Sequence, residues 1–200
     1  MTRPMATIKG PAVFLAQFLR DEPPFNALAS LVQWFAGFGY KGVQIPAWDL
    51  RTIDLEKAAA SQSYCDDYRG ALAAQGVNVT ELAGYLQGQV LAVHPAYETL
   101  FAGFHPQGLT GEARTAWATD QLKKCVLASA KLGLRNIPVL SGGFAWHLVY
   151  PWPQRPAGLI EEAFTELARR WQPILDLAHE HGCRIGYELH PGSDIFDGAT

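Results

Sequence analysis

Short apolar runs and longer stretches with helical spacing take turns along this chain. The run Ala12-Val13-Phe14-Leu15-Ala16-Gln17-Phe18 predicts a first buried strand, which the charged, proline-containing turn Arg20 to Pro24 ends. From Phe25, the positions Leu28, Leu31, Val32, Phe35 and Ala36 recur at helical spacing, and Gly37, Gly39 and Gly42 lead into a second strand, Val43 to Pro46. Asp49 to Ala60 reads as a loop with a short helix. Ser63 and Asp66 form a capping-box pattern that opens a helix running to Ala74-Gln75 and stopping at Gly76, before a third strand, Val77 to Leu82.

Between Gly84 and Thr110 the periodicity fades. This stretch carries Tyr85, His94-Pro95, Tyr97, Phe101, Phe104 and His105-Pro106, and long aperiodic connections of this kind are usually lids or binding loops. A helix is then expected over Glu112 to Leu132, a fourth strand over Ile137 to Leu140, and a second aromatic loop from Ser141-Gly142-Gly143 to Pro153. The clearest helical face in the chain is Ile160, Ala163, Phe164, Leu167, Trp171, Ile174, Leu175 and Ala178. Gly182 ends it, and a fifth strand follows from Arg184.

Four times, at Gly39, Gly76, Gly133 and Gly182, a helix stops at a glycine and an apolar strand begins. Tandem units of this kind with right-handed crossovers require a parallel sheet, so the fold class is α/β. The glycine spacing then separates barrel from open nucleotide-binding sheet. The first strand leads into Arg20-Asp21-Glu22-Pro23-Pro24, which cannot cradle a phosphate, and Gly37-Phe38-Gly39-Tyr40-Lys41-Gly42 lies after a helix and before a strand. That leaves a (β/α)8 TIM-barrel type of fold, incomplete here at about five βα units. A complete barrel takes about 250 residues, so residues 1–200 are expected to be a single domain forming the N-terminal part of a barrel.

Composition narrows the function. The chain is 48% hydrophobic, 18% charged and has a net charge of −3, with Lys and Arg scattered rather than clustered. That gives no basic surface for nucleic acid or anionic lipid. No apolar stretch approaches the ~20 residues that span a bilayer, and Met1 to Gly10 lacks an apolar signal core, so a cytoplasmic location is expected. Cys65, Cys125 and Cys183 are odd in number and far apart, which predicts reduced, buried thiols.

The chemistry concentrates in Arg184-Ile185-Gly186-Tyr187-Glu188-Leu189-His190-Pro191-Gly192. With a period of two, Ile185, Tyr187 and Leu189 share one face, while Arg184, Gly186, Glu188 and His190 share the other. Flanked by Gly182 and Pro191-Gly192, this reads as an interior strand with a carboxylate and an imidazole at its C-terminal end, where α/β enzymes hold their reactive groups. The alternative is that Glu188 and His190 are paired with buried polar neighbours.

The order of units, the Gly-Phe-Gly-Tyr-Lys-Gly-Val-Gln-Ile passage of residues 37–45, Leu-Ala-Val-His-Pro at 91–95 and Gly-Tyr-Glu-Leu-His-Pro at 186–191 resemble the sugar phosphate isomerase/epimerase family, whose fold is the xylose isomerase-like TIM barrel. The resemblance implies that Glu188 is both a metal ligand and one of two acid/base carboxylates. It implies a divalent metal (Mn, Mg, Co or Zn) whose remaining ligands, an aspartate, a histidine and a second glutamate, lie outside this chain. On its own the chain is then expected to be inactive. Isomerisation or epimerisation beside a carbonyl moves a weakly acidic C–H proton, which needs a carboxylate base and stabilisation of the enediolate.

His190 is expected to bond a sugar hydroxyl or to orient Glu188. Trp48, Tyr97, Phe104, Trp146, Tyr150 and Trp152 follow strand ends, where they would stack on a sugar or pack on one another. His94, His147 and Asp49 are further candidates for substrate contact, a structural role being the alternative for each. The expected partner is a small-molecule sugar, with no nucleic acid and no membrane. A homo-oligomer is compatible with the apolar edges of an open five-strand sheet. Two other functions stay open: an endonuclease IV-like hydrolase, against which the lack of a basic surface argues, and a non-catalytic or partner-dependent barrel fragment.

Overall fold

In the computed structural model, which describes residues 9–148 and 154–198, the elements run β1 (Ala12–Phe14), α1 (Leu28–Gly37), β2 (Gly42–Pro46), α2 (Leu55–Ala60), α3 (Gln62–Ala73), β3 (Asn78–Ala83), α4 (Tyr85–Gln89), α5 (Gly111–Lys131), β4 (Asn136–Val139), α6 (Leu159–Glu180) and β5 (Arg184–Tyr187). One local device repeats. Gly39, Gly76, Gly133 and Gly182 have φ of 86°, 73°, 74° and 67°. The residue after each donates its N–H to the carbonyl five positions back: Tyr40 to Phe35, Val77 to Leu72, Leu134 to Ser129 and Cys183 to Ala178, at 2.8–3.2 Å. The closure needs left-handed backbone, which glycine adopts without steric cost, and it turns each helix into the strand that follows.

The chain divides into two compact units, Met1–Ala83 with Lys124–Ile137, and Gly84–Lys123 with Pro138–Thr200. In the first, β1, β2 and β3 form a parallel sheet in that order. Val43, Ile45 and Leu82 are fully buried, as are Leu31 and Val32 of α1 and Cys65 of α3. A buried Leu, Ile or Val contributes about 1.5–3 kcal/mol. Val43 pairs with Val79 but Gln44 pairs with Glu81, so β3 carries a bulge at Thr80.

Two local expectations change here. The first apolar run is a strand only to Phe14; Ala16–Phe18 turn into a 3-10 helix, where Phe18 packs on Phe35 at 4.9 Å between centroids. The cap of α3 is Ser61, whose Oγ accepts the Tyr64 N–H at 3.2 Å, and Ser63 instead bonds the Ser61 hydroxyl. Both serines suit the cap, and the tight junction with α2 places Ser61 in extended backbone.

In the second unit β5 pairs with the end of β4, and Leu167, Trp171, Ile174 and Ala178 of α6 are buried. Trp171 donates its indole N–H to the Ser141 carbonyl at 3.0 Å and meets Tyr187 edge-on at 5.0 Å. The 84–110 connection is not lid-like throughout. It opens with α4, whose Gln87, Gly88 and Gln89 are buried, and Val90 to Val93 are buried too. Gly88 lies so close to β4 that a Cβ there would overlap the Leu140 carbonyl oxygen. Buried Arg114 of α5 ties the segment down, bonding the Val90 carbonyl at 3.1 Å and pairing with Glu98. Among the described residues no helix is long and apolar enough to cross a membrane, and Cys65, Cys125 and Cys183 are buried and in no disulfide.

Candidate functional site

Past β4, the chain makes Ser141-Gly142-Gly143 and then the loop bearing Trp146 and His147. Close backbone contact dictates the glycines: Gly143 donates to the Ala92 carbonyl at 2.8 Å, and a Cβ on it would run into Asp194. Asp194 itself is 1% exposed. Its carboxylate accepts the backbone N–H groups of Phe144 at 2.8 Å, Ala145 at 2.8 Å and Trp146 at 2.7 Å. Three converging amide dipoles compensate a charge that burial would otherwise penalise. Ser141 Oγ accepts the Ile195 N–H at 3.2 Å beside it. The segment after β5 therefore clamps the loop after β4.

The clamped loop meets residues of the 94–97 turn. The His94 and His147 rings lie 4.5 Å apart, Tyr97 is 4.8 Å from Trp146 and 4.9 Å from His147, and Trp146 meets His147 at 5.7 Å. Four of the sequence candidates, His94, Tyr97, Trp146 and His147, thus form one cluster. His94 Nδ1 accepts the Ala96 N–H at 3.2 Å, which leaves the proton of its neutral ring on Nε2. His147 Nδ1 is buried without a hydrogen-bond partner. Burial pushes the His147 imidazole below its ordinary pKa, nearby His94 adds to this, and the Asp194 carboxylate opposes it.

A cavity of about 280 Å³ opens beside the two histidines, lined also by Phe144, Leu159, Glu162 and Glu166. Arg169 and Arg170 hold the Glu166 carboxyl down to about 2. Arg170 also bonds the Leu91 carbonyl and Thr115 Oγ1, each at 2.9 Å, and lies 4.7 Å over the Phe144 ring. The cavity wall is accordingly fixed by a bonded cation.

The remaining candidates stand elsewhere. Glu188 lies one residue past β5, its N–H on the Val139 carbonyl at 2.9 Å. Its carboxylate is exposed and has no hydrogen-bond or ion-pair partner among the described residues. His190 is exposed, with Nδ1 2.6 Å from the Pro191 carbonyl oxygen, so this nitrogen carries the proton; no hydrogen bond or ion pair joins it to Glu188. The expected interior strand is corrected here: Arg184, Gly186, Glu188 and His190 are exposed and Leu189 is 54% exposed, because β5 pairs only with β4 among the described residues. Trp48, in the first unit, packs edge-on against Phe14 at 6.1 Å. Asp49 is occupied by Arg51, which bonds it through the guanidinium and the backbone N–H and lowers its pKa. Phe104 packs on Phe101 at 5.6 Å. Tyr150 and Trp152 lie outside the described residues.

Among the described residues no group of three or more His, Cys, Asp or Glu could hold a metal ion. A hard divalent cation wants about six ligands, several from protein, and Glu188 offers one carboxylate. The residues described here do not by themselves fit a divalent metal.

The sequence profile of the xylose isomerase-like TIM barrel matches residues 32–200. The chain belongs to this family. No curated protein matches it. Among solved structures it is similar to a xylose isomerase-like TIM barrel protein from Mycobacterium smegmatis in complex with magnesium, at 13% identity and a TM-score of 0.57 over 96% of this chain and 59% of that one. The probable 3-DHS dehydratase involved in petrobactin synthesis from Bacillus anthracis gives 11% and 0.56, over 92% and 53%. The 3-keto-D-glucoside 4-epimerase from E. coli gives 14% and 0.54, over 92% and 57%. These likenesses speak for the fold. The chain spans between half and three fifths of the length of those proteins, and its five short strands with the helices between them are an incomplete barrel among the described residues.

Sequence reasoning missed Asp194. Its signal was indirect: a Gly-Gly pair after a strand marks a place where something approaches the backbone closely, but nothing local says what. The facing of Glu81 is likewise set by the bulge in β3.

Proposed function

We propose that this chain is part of an isomerase or epimerase that acts on a sugar or keto-sugar by proton abstraction next to a carbonyl, with residues 1–200 as one domain, the N-terminal part of a barrel. The support is one placement: Glu188, whose backbone N–H donates to the Val139 carbonyl, holds an exposed carboxylate just past β5, the strand end at which the family resemblance puts a carboxylate base. In this reading Glu188 takes the proton from carbon. His94 and His147 donate hydrogen bonds to substrate oxygens, Trp146 takes an apolar C–H face, and His190 and Trp48 are further substrate contacts. Desolvation keeps His147 neutral near pH 7, so it polarises a hydroxyl or carbonyl without adding charge.

A divalent metal (Mn, Mg, Co or Zn) belongs to the reading and would stabilise an enediolate, with Glu188 as its one ligand in this chain and the rest from outside it. The 200 residues alone are expected to be inactive. A cytoplasmic location and a homo-oligomer complete the reading.

The test compares this chain with one extended through its natural downstream reading frame. Manganese binding by calorimetry should appear only in the extended chain and vanish with Glu188→Gln. The extended chain should also exchange deuterium from solvent into ketohexoses or 3-keto-glucosides beside the carbonyl. Loss of water from the substrate instead would move the assignment to a lyase using the same proton abstraction. No binding and no exchange by the extended chain would make Glu188 structural and the barrel non-catalytic.

A further inference from the structure

The bulge in β3 puts a carboxylate where strand parity alone would not. Val79 lies opposite Val43 and Glu81 opposite Gln44, so Thr80 is an extra residue between two ladder positions. In a regular strand the residue after Val79 would face the side of Gln44, and Glu81 would join Val43 and Ile45, which are fully buried. The insertion shifts parity by one. Glu81 now stands beside Gln44, and Leu82, opposite Ile45, is fully buried in Glu81's stead. Bulges re-aim side chains in this way, and they gather next to functional sites.

What the re-aimed residue meets is polar. Gln44 Nε2 donates to Glu81 Oε2 at 3.2 Å, and both side chains are half-buried. The row continues into β1, where Phe14 is the register partner of Gln44 and packs edge-on against Trp48 at 6.1 Å. Toward the strand N-termini, a Cβ on Gly42 would meet Thr80 Cγ2 at 2.6 Å, so Thr80 lies on the same face, and its hydroxyl is buried with no hydrogen-bond partner. A buried hydroxyl left without a partner is unfavourable and calls for one.

The open valences define that partner. A carboxylate has about four acceptor sites, and one of Glu81's is used; Gln44 keeps its carbonyl oxygen and one amide hydrogen. An acceptor-only group, a group that both donates and accepts, and a hydroxyl match adjacent hydroxyls, each of which donates once and accepts twice. An anion would be repelled by Glu81, and one carboxylate with one amide is too few for a divalent cation.

We propose that this face of the three-stranded sheet is a polyol-binding subsite in which Glu81 and Gln44 read a vicinal diol, bordered by Phe14 and Trp48. The proposal rests on the carbohydrate reading above and adds to it the residues that select a hydroxyl pattern. It is tested on the 200-residue chain by NMR titration with D-fructose and with myo-inositol, which has no carbonyl. The Gln44 side-chain amide resonances should shift with both. Glu81→Gln and Gln44→Leu, each checked for an unchanged backbone amide spectrum, should weaken binding roughly tenfold.

Unmoved Gln44 resonances, unchanged affinity in both variants, or no polyol binding by the wild-type chain overturns the subsite. The two readings fail separately. Polyol binding with no deuterium exchange by the extended chain supports the subsite and removes the isomerase. Exchange with full affinity in Glu81→Gln does the reverse.

Discussion

Asp194 accepts the backbone N–H of Trp146 at 2.7 Å, across 48 residues of sequence. With the two neighbouring amides it makes one buried carboxylate the organiser of the loop that carries Trp146 and His147. Asp194→Ala would leave three amide donors without their acceptor, at about 1–3 kcal/mol for each one that stays buried. Urea denaturation should show a loss of about 3 kcal/mol or more, and Asp194→Asn a smaller one, because one amide oxygen can still accept. A loss below about 0.5 kcal/mol for Asp194→Ala would mean the loop is held by other contacts.

Two glycines should respond in opposite directions. Gly88→Ala drives a methyl into the Leu140 carbonyl and is expected to destabilise by about 2 kcal/mol or more. Gly70 lies exposed within α3 with open space around its Cβ position, so Gly70→Ala should stabilise by about 0.5–1 kcal/mol. Thermal melts of the two variants side by side decide whether the α4 contact is as close as described.

Acid should act through two groups of opposite charge type, both with the same sign. His147 has a folded pKa below its ordinary 6.5, so the unfolded chain binds the proton more readily; its stabilisation is present above 6.5 and is lost as pH falls through the folded value. Glu166, lowered from 4.5 to about 2, contributes stability above 4.5 that is lost as pH falls toward 2. Glu166 is itself 34% exposed and its partner Arg169 71%, so solvent screening keeps this second contribution small. Stability measured from pH 7.5 to 5 should fall less steeply in His147→Gln than in the wild type. Identical slopes would show that His147 is not desolvated.

Arg169 and Arg170 both bond Glu166, yet they should not be equivalent. Arg169 is 71% exposed along its side chain, whereas Arg170, at 18%, also ties Leu91, Thr115 and Phe144. Arg169→Ala should leave stability nearly unchanged, and Arg170→Ala should cost about 2 kcal/mol, since it takes the guanidinium donor from Thr115 Oγ1 and leaves the Leu91 carbonyl only the Thr115 hydroxyl at 3.4 Å. Equal costs would reduce the Arg170 network to a surface ion pair.

Glu188→Gln should change stability by less than about 0.5 kcal/mol, because the carboxylate is exposed and without a partner among the described residues. A large loss on denaturation would mean that Glu188 holds the structure, and the role proposed for it would fall.

The sequence by itself determined the alternation of helices and strands, the glycine stops and the incomplete barrel. Those depend on periodicity among near neighbours and on φ angles open to glycine, and both are written locally. Gly39, Gly76, Gly133 and Gly182 all close their helices as the pattern implies. The residues at 94, 146 and 147 were legible as candidates from their loops, but their convergence was not. Tertiary structure alone decided that Asp194 would anchor amides some fifty residues away, that Ser61 rather than Ser63 caps α3, and that β5 leaves Glu188 open to solvent. It decided the facing of Glu81 as well. A bulge is a register choice between two strands, set by what the partner strand offers, and β3 read alone carries no mark of it.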